Sequence, residues 1–315
     1  RQRQMCIRDR YSALYHIVSN SAKKYGCFSF DFGTKRLYYN FNKCGGAMKK
    51  IAIYGKGGIG KSTTTANISA ALSETGLKVC QIGCDPKNDS TRLLLGRICK
   101  QTVLDCVRDK EDVKADDILH YGYNNVKCVE AGGPEPGVGC AGRGIIVALE
   151  KLKALSIIED EDVILYDVLG DVVCGGFAVP IREGYATDIY IVSSGELMSL
   201  YAANNIAKGV KRFAMRGGVR LGGIIGNSRN TPNEHKLLEE FAKRLNTKLV
   251  AFIPRDVIVN KAENQRQTVI QYAPESGQAE VYRQLAQKIV ANDELDVPTP
   301  MTFEELENLV AAYGD

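Results

Sequence analysis

From residue 48 onward, short apolar runs alternate with longer amphipathic ones. Runs rich in β-branched residues read as buried strands at 50–54, 78–85, 126–130, 163–167, 189–192, 221–225 and 248–253. Helical periods fall at 62–73, 143–155, 197–213, 234–245 and 278–290. Strands separated by helices of this length make a mostly parallel sheet with both faces covered. The expected fold class is therefore α/β, with helices on both faces. Ligands in such sheets bind at the carboxyl ends of the strands, and every motif below falls there. No internal repeat and no interior linker breaks 48–315, so it is expected to be one domain.

Residues 1–47 follow neither period. They hold nine Lys and Arg against two Asp and Glu, whereas the rest of the chain holds 32 against 35. The overall +4 charge therefore comes from the front end. The body is mildly acidic and offers no footprint for nucleic acid. Met48 opens MKKIAIYGKGG, a natural start. Three readings of 1–47 compete: an upstream stretch translated by artefact, a targeting peptide, or an appended module. The first is favoured, which leaves 1–47 outside the fold argument.

Hydrophobic content of 44% and charged content of 25% suit an ordinary globular body. No apolar run is long enough to cross a bilayer, and no secretory signal is visible, so the expected location is the cytoplasm, away from membranes. In that setting ten cysteines read as reduced, buried or metal-bound rather than disulfide-linked.

The sequence GKGGIGKST (Gly55 to Thr63) follows a strand and opens a helix, the context a phosphate-binding loop requires. Gly55, Gly57, Gly58 and Gly60 let backbone N–H groups turn toward phosphate oxygens, and the helix N-terminus adds positive potential. Lys61 is expected to reach the β- and γ-phosphates, Ser62 to ligate Mg²⁺, and Thr63 to complete the loop. A ligand-free strand–helix turn is the bland alternative; the Lys-Ser register makes it a weak one. Lys56, right after the first glycine, marks the deviant Walker group of ATPases, dimers in which this lysine reaches the partner's nucleotide. Asp167 ends the strand VILYD and is placed to hold Mg²⁺ through water. Asp171, four residues on, is placed to orient or deprotonate the attacking water. Asp85 and Asp89, in CDPKNDST, fall on a loop that would sense the γ-phosphate. Turn formation and capping compete for Asp89.

Two cysteines sit apart from the others. Cys140 lies in GGPEPGVGCAGRG and Cys174 in VLGDVVCGGF. Flanking glycines leave backbone N–H groups free to stabilise thiolate sulfur. Cys80, Cys99, Cys106 and Cys128 instead look like small hydrophobes in apolar runs. A [4Fe–4S] cluster takes four thiolates, and a two-fold dimer would bring two copies of each loop together. Zinc sites usually use close cysteine pairs, which neither loop contains.

From Met48 to the C-terminus the chain closely resembles the nitrogenase iron protein family of P-loop NTPase fold. The matching stretches are GKGGIGKSTTTAN, GCDPKNDSTRLLLG, GGPEPGVGCAGRG, YDVLGDVVCGGFAVPIRE, YAANNI, RLGGIIGNSRNT and PRD. The resemblance implies an ATP-hydrolysing oxidoreductase: a homodimer with one bridging [4Fe–4S] cluster and one MgATP per subunit. It would take electrons from a ferredoxin or flavodoxin and pass them singly to the heterotetrameric catalytic component of nitrogenase. It implies Cys140 and Cys174 as cluster ligands. Lys56, Lys61, Ser62, Asp85, Asp89, Asp167 and Asp171 become the nucleotide and switch set. Asn227 and Asp256 fall near adenine and ribose, as does Gln278. Arg143 matches an arginine that some members carry ADP-ribosylated, on the docking face. Two departures are local: Gly226 stands where a cysteine is common, and the tail to Asp315 is short.

Rival readings remain. Relatives that reduce a tetrapyrrole share the loop and the cysteines but diverge in the YAANNI and NSRNT regions. Partitioning ATPases of the deviant Walker group bind DNA or membranes through basic surfaces, whereas FEELENLV near this C-terminus is acidic. Cluster-assembly scaffolds carry a close cysteine pair near the C-terminus, and no cysteine follows Cys174.

Overall fold

The computed structural model describes residues 28–31, 36–39, 48–133, 141–168, 170, 179–215 and 218–313. The chain divides into two units, Arg1–Met48 and Lys49–Asp315. In the first, β1 (Phe28–Asp31) pairs antiparallel with β2 (Arg36–Tyr39).

In the second, a single eight-stranded sheet organises everything. Its strands are β3 (Lys49–Gly55), β4 (Val79–Gly83), β5 (His120–Tyr121), β6 (Lys127–Glu130), β7 (Val163–Asp167), β8 (Asp188–Ser193), β9 (Arg220–Asn227) and β10 (Leu249–Ile253). Their order is β10-β9-β8-β3-β7-β4-β6-β5. All pairings are parallel except β5 on β6, at one edge. The strand and helix expectations of the sequence hold, and this edge strand was not among them. Ile51, Ile53, Ile82, Ile164, Leu165, Ile189 and Ile191 are fully buried, as strands covered on both faces must be.

Helices fill the gaps between strands. The main ones are α1 (Lys61–Ser73), α2 (Arg92–Leu95), α3 (Val103–Asp109), α4 (Ala115–Ile118), α5 (Ala141–Ala154), α6 (Val179–Arg182), α7 (Leu197–Ala214), α8 (Glu234–Arg244), α9 (Val257–Asn264), α10 (Val269–Tyr272), α11 (Gly277–Val290) and α12 (Phe303–Ala311). Helix α1 is buried on nearly every side, since it packs against α10, α11 and strands β3, β4 and β7. Its Ala, Ser and Thr residues suit that position: they are small enough for close approach, and Ser69 Oγ donates to Gln81 Oε1 at 2.8 Å. An ion pair, Arg283 Nε to Glu74 Oε2 at 2.8 Å, ties α11 to the end of α1. Helices α7, α8 and α12 form a second packed group on the sheet.

The central strand β3 lies between β7 and β8. The loop after it therefore opens at the middle of the sheet's carboxyl edge, where ligands of parallel sheets bind.

A candidate nucleotide site at the carboxyl edge

The backbone of residues 55–60 needs glycine at defined points. Gly58 has φ +73° and Gly60 has φ +95°, both in the left-handed region that side chains disfavour. A Cβ at Gly60 would also come within 2.5 Å of Asn227 Nδ2. Gly60 is the N-cap of α1, with no side-chain cap and no acidic residue in the first turn. An uncapped N-terminus with no acidic residue in its first turn suits an anion. Lys61 is buried, and its Nζ donates to Lys56 O at 3.1 Å, folding over the loop.

Asp167, buried at the end of β7, accepts hydrogen bonds from Ser62 and Ser90. Burial pushes its carboxyl above the usual range, while those bonds and the Lys61 charge pull it back. This pair fits a divalent cation: a buried carboxylate short of positive charge beside a serine hydroxyl. Gly170 lies against the phosphate loop, where a Cβ would meet Gly55 O at 2.1 Å. The chain after β7 is thus threaded past the loop before it reaches 171.

On the other side of β3 a cavity of about 200 Å³ opens. Gly58, Gly60, Thr63, Asn227, Asp256 and Gln278 are among its lining residues, so six candidates from the sequence meet there. Asn227 Nδ2 donates to Ile59 O at 2.6 Å, locking β9 to the phosphate loop. Asp256 caps α9 through Ile258 N at 2.8 Å. Gln278 is buried and donates to Pro254 O at 3.3 Å.

Asp85 and Asp89 stand outside this cavity. Asp85 accepts from Lys87 N at 3.0 Å, a local turn. Asp89 is exposed. The half-buried Lys56 contributes its carbonyl to Lys61 and Ile59. Asp171, Cys140 and Cys174 lie outside the described residues, and of Arg143 only the backbone, in α5, is described.

Sequence reasoning missed three further residues. Glu263 Oε1 accepts from Thr63 Oγ1 at 2.6 Å, across 200 positions that carry no local signal. Arg229 donates through Nη2 to Gly58 O. Glu234 accepts from Gly195 N at 2.9 Å, Ser228 Oγ at 2.6 Å, and the backbone N–H groups of Arg229 and Asn230 at 3.0 Å. Burial opposes its charge, yet these bonds hold its carboxyl below the usual range. Gly226, next to Asn227, is closely packed: a Cβ there would meet Leu238 and Phe252 side chains at 2.9 Å.

The five described cysteines, Cys80, Cys84, Cys99, Cys106 and Cys128, are free and buried. Burial pushes all five thiols up, away from the thiolate a metal requires. Among the described residues no group of His, Cys, Asp and Glu could hold a metal ion on its own. No described helix is long and apolar enough to cross a membrane.

A glycine loop between a central parallel strand and a helix, with a buried carboxylate on its serine, defines a P-loop ATPase. Solved structures of that fold are similar. The septum site-determining protein MinD of Pyrococcus horikoshii OT3, complexed with Mg-ADP, matches with TM-score 0.60 at 23% identity, over 77% of this chain and 96% of that one. A ParA family ATPase from Chlorobium tepidum TLS matches with TM-score 0.59 at 20% identity, over 76% and 98%. Cobyrinic acid a,c-diamide synthase from Mycobacterium smegmatis, with bound ATP analog and magnesium, matches with TM-score 0.56 at 20% identity, over 76% and 93%. Within the fold, residues 49–315 match the model of the 4Fe-4S iron sulfur cluster binding proteins, NifH/frxC family, and the chain belongs to that family.

Proposed function

We propose that this protein is the reductase component of nitrogenase: a homodimer that passes single electrons to the catalytic component and couples each transfer to MgATP hydrolysis. The observation that carries the reading is the pairing of one complete phosphate site with two glycine-flanked cysteines inside the matched family segment. Cys140 and Cys174 are the only cysteines of residues 49–315 not already described as buried free thiols. Two per chain fall short of the four a cubane needs, so two copies supply Cys140 and Cys174 twice around one [4Fe–4S] cluster. The cluster, when bound, supplies a one-electron carrier.

The chain's own residues do the rest. Lys61 and the N–H groups around Gly58 and Gly60 hold the phosphates. Ser62 and Asp167 would hold Mg²⁺, which would neutralise charge on the phosphates. Asn227, Asp256 and Gln278 line the space for the nucleoside. Asp171 orients water, and Lys56 serves the partner's nucleotide. Asp85 and Asp89 respond to the γ-phosphate. Arg143, at the start of α5 and three residues past Cys140, lies on the docking face. A ferredoxin or flavodoxin is the electron source. A tetrapyrrole-reducing system uses the same donor half, and transfer assays with each catalytic component distinguish the two.

The test is the iron content of anaerobically purified dimer. It should be about four iron atoms per dimer. Cys140→Ala and Cys174→Ala should each abolish the cluster while MgATP binding persists. A full cluster in either variant overturns the assignment.

A further inference from the structure

Glu130 ends β6, three strands from the phosphate loop in the sheet. It is 1% exposed, and nothing above uses it. Its Oε1 accepts from Thr91 N at 2.7 Å and from Thr91 Oγ1 at 2.6 Å. Its Oε2 is buried with no hydrogen-bond partner. That oxygen lies over Gly83, where a Cβ would come within 2.0 Å, so this carboxyl is packed against a position that only glycine can occupy.

Thr91 closes the Asp85–Asp89 loop, and its neighbour Ser90 is gripped as well. Gln81 Nε2, from β4, donates to Ser90 O and Oγ at 3.0 Å. Ser90 in turn donates to Asp167 on β7. Side chains from three adjacent strands, Gln81 in the middle of β4 and Glu130 and Asp167 at the ends of β6 and β7, thus fix the last two residues of the loop. The first residues of the loop meet the chain leaving β6. A Cβ at Gly133 would come within 2.5 Å of the Pro86 side chain, and Ala131 N donates to Gly83 O at 2.8 Å. The end of β6 therefore touches both ends of the loop, and that same chain runs on toward Cys140.

We propose that Glu130 is a positioning residue that makes the Asp85–Thr91 loop and the exit of β6 move as one body, so that nucleotide state at the first reaches the chain leading to Cys140. The inference rests on the function proposed above. A carboxylate acceptor with two short bonds to one threonine is a stiff link, because both the backbone and the hydroxyl of Thr91 are held. The spare oxygen shows that the contact is not tuned for stability alone: a buried unpartnered carboxyl oxygen costs folding energy. Glu130 is faced by Asp89 from the loop, Asp167 from β7, and the thiols of Cys84, Cys99 and Cys128. No basic group opposes it among these, so its hold on Thr91 is the main interaction stabilising its charge.

Amide hydrogen exchange on the full chain, with MgADP and with a non-hydrolysable MgATP analogue, tests this. In the parent, exchange at residues 85–91, 131–133 and 163–168 should differ between the two nucleotides. Glu130→Ala should erase the difference at 131–133 and keep it at 163–168, with nucleotide affinity unchanged. Glu130→Gln keeps an acceptor for Thr91 and should restore the difference. If Glu130→Ala does not fold, Thr91→Val, which removes the hydroxyl alone, should shrink the difference at 131–133. A difference at 131–133 that survives either variant at full size overturns the link. So does a parent in which only 163–168 responds, and that outcome leaves the proposed function standing. A parent with no response in any segment overturns both.

Discussion

Glu234 and Glu130 are both buried glutamates beside the carboxyl edge of one sheet, on opposite sides of β3, and their charges are met in opposite ways. Glu234 accepts from one hydroxyl and three backbone N–H groups, and its carboxyl is held below the usual range. Glu130 has one engaged oxygen and one orphan, and its carboxyl is pushed up to about 7, first by burial and then by Asp167 and Asp89. On the first side, which frames the cavity of Asn227, Asp256 and Gln278, the glutamate's charge is met in full. The second, which carries Asp85, Asp89 and Asp167, holds more negative charge than it satisfies. A pre-organised surface binds without rearranging. A surface with unmet negative charge gains most when a cation arrives, so under the proposed function it is the side that changes state when Mg²⁺ comes in with the nucleotide. Under the proposed function, the nucleoside side positions and the phosphate-sensing side responds.

The largest effect expected from breaking this division is on hydrolysis. If Asp171 orients the attacking water, as proposed, Asp171→Asn should lower ATP turnover roughly 100-fold or more while MgATP still binds. Lys61→Gln, at the junction of both sides, should lose productive binding itself. Equilibrium binding and single-turnover hydrolysis on both variants check the pair. Turnover at the parental rate in Asp171→Asn assigns the role elsewhere.

Next is stability on the first side. Glu234→Ala leaves the Gly195, Arg229 and Asn230 N–H groups without their acceptor and should cost roughly 3 kcal/mol. The contribution of a carboxyl held low is present above the unfolded value and lost as pH falls through the folded one. Denaturant unfolding should therefore show the full cost at pH 6 to 8 and a shrinking one below about pH 4.5. A cost under about 0.5 kcal/mol at pH 7 would remove Glu234 from the account.

Glu130 carries the opposite sign. Its folded pKa is raised, so its contribution is present below the unfolded value and lost as pH rises through about 7. Glu130→Gln should gain on the parent by roughly 2–3 kcal/mol between pH 5 and pH 8. A constant gap between the two stability curves would show that Glu130 is not under-satisfied.

The same two sides show what the sequence made legible. The glycine loop, Lys61 and Ser62 are readable because their spacing on a strand–loop–helix is local, and Asp167 because it ends an apolar strand. The sheet was readable because its buried strands are continuous apolar runs. Edge strand β5 is two residues long and carries no period. Helix α12 went unread, although Thr302 and Glu305 form a capping box that is a local signal for its start. Glu263, Glu234 and Glu130 were not legible as site residues. Each looks like an ordinary acidic residue until the fold places Thr63, Ser228 or Thr91 against it. The glycine at 83 hints at a close approach, but nothing local says that a glutamate 47 positions later is what approaches. Satisfaction of charge is a tertiary property, and it is what separates the two sides.

The most direct measurement is the rate at which a chelator removes iron from the reduced, cluster-loaded dimer, compared without nucleotide, with MgADP and with MgATP. If the phosphate-sensing side responds and carries Cys174 and Cys140 with it, MgATP should accelerate iron release well beyond MgADP. Equal rates in all three conditions would contradict a coupling between the nucleotide site and the cluster.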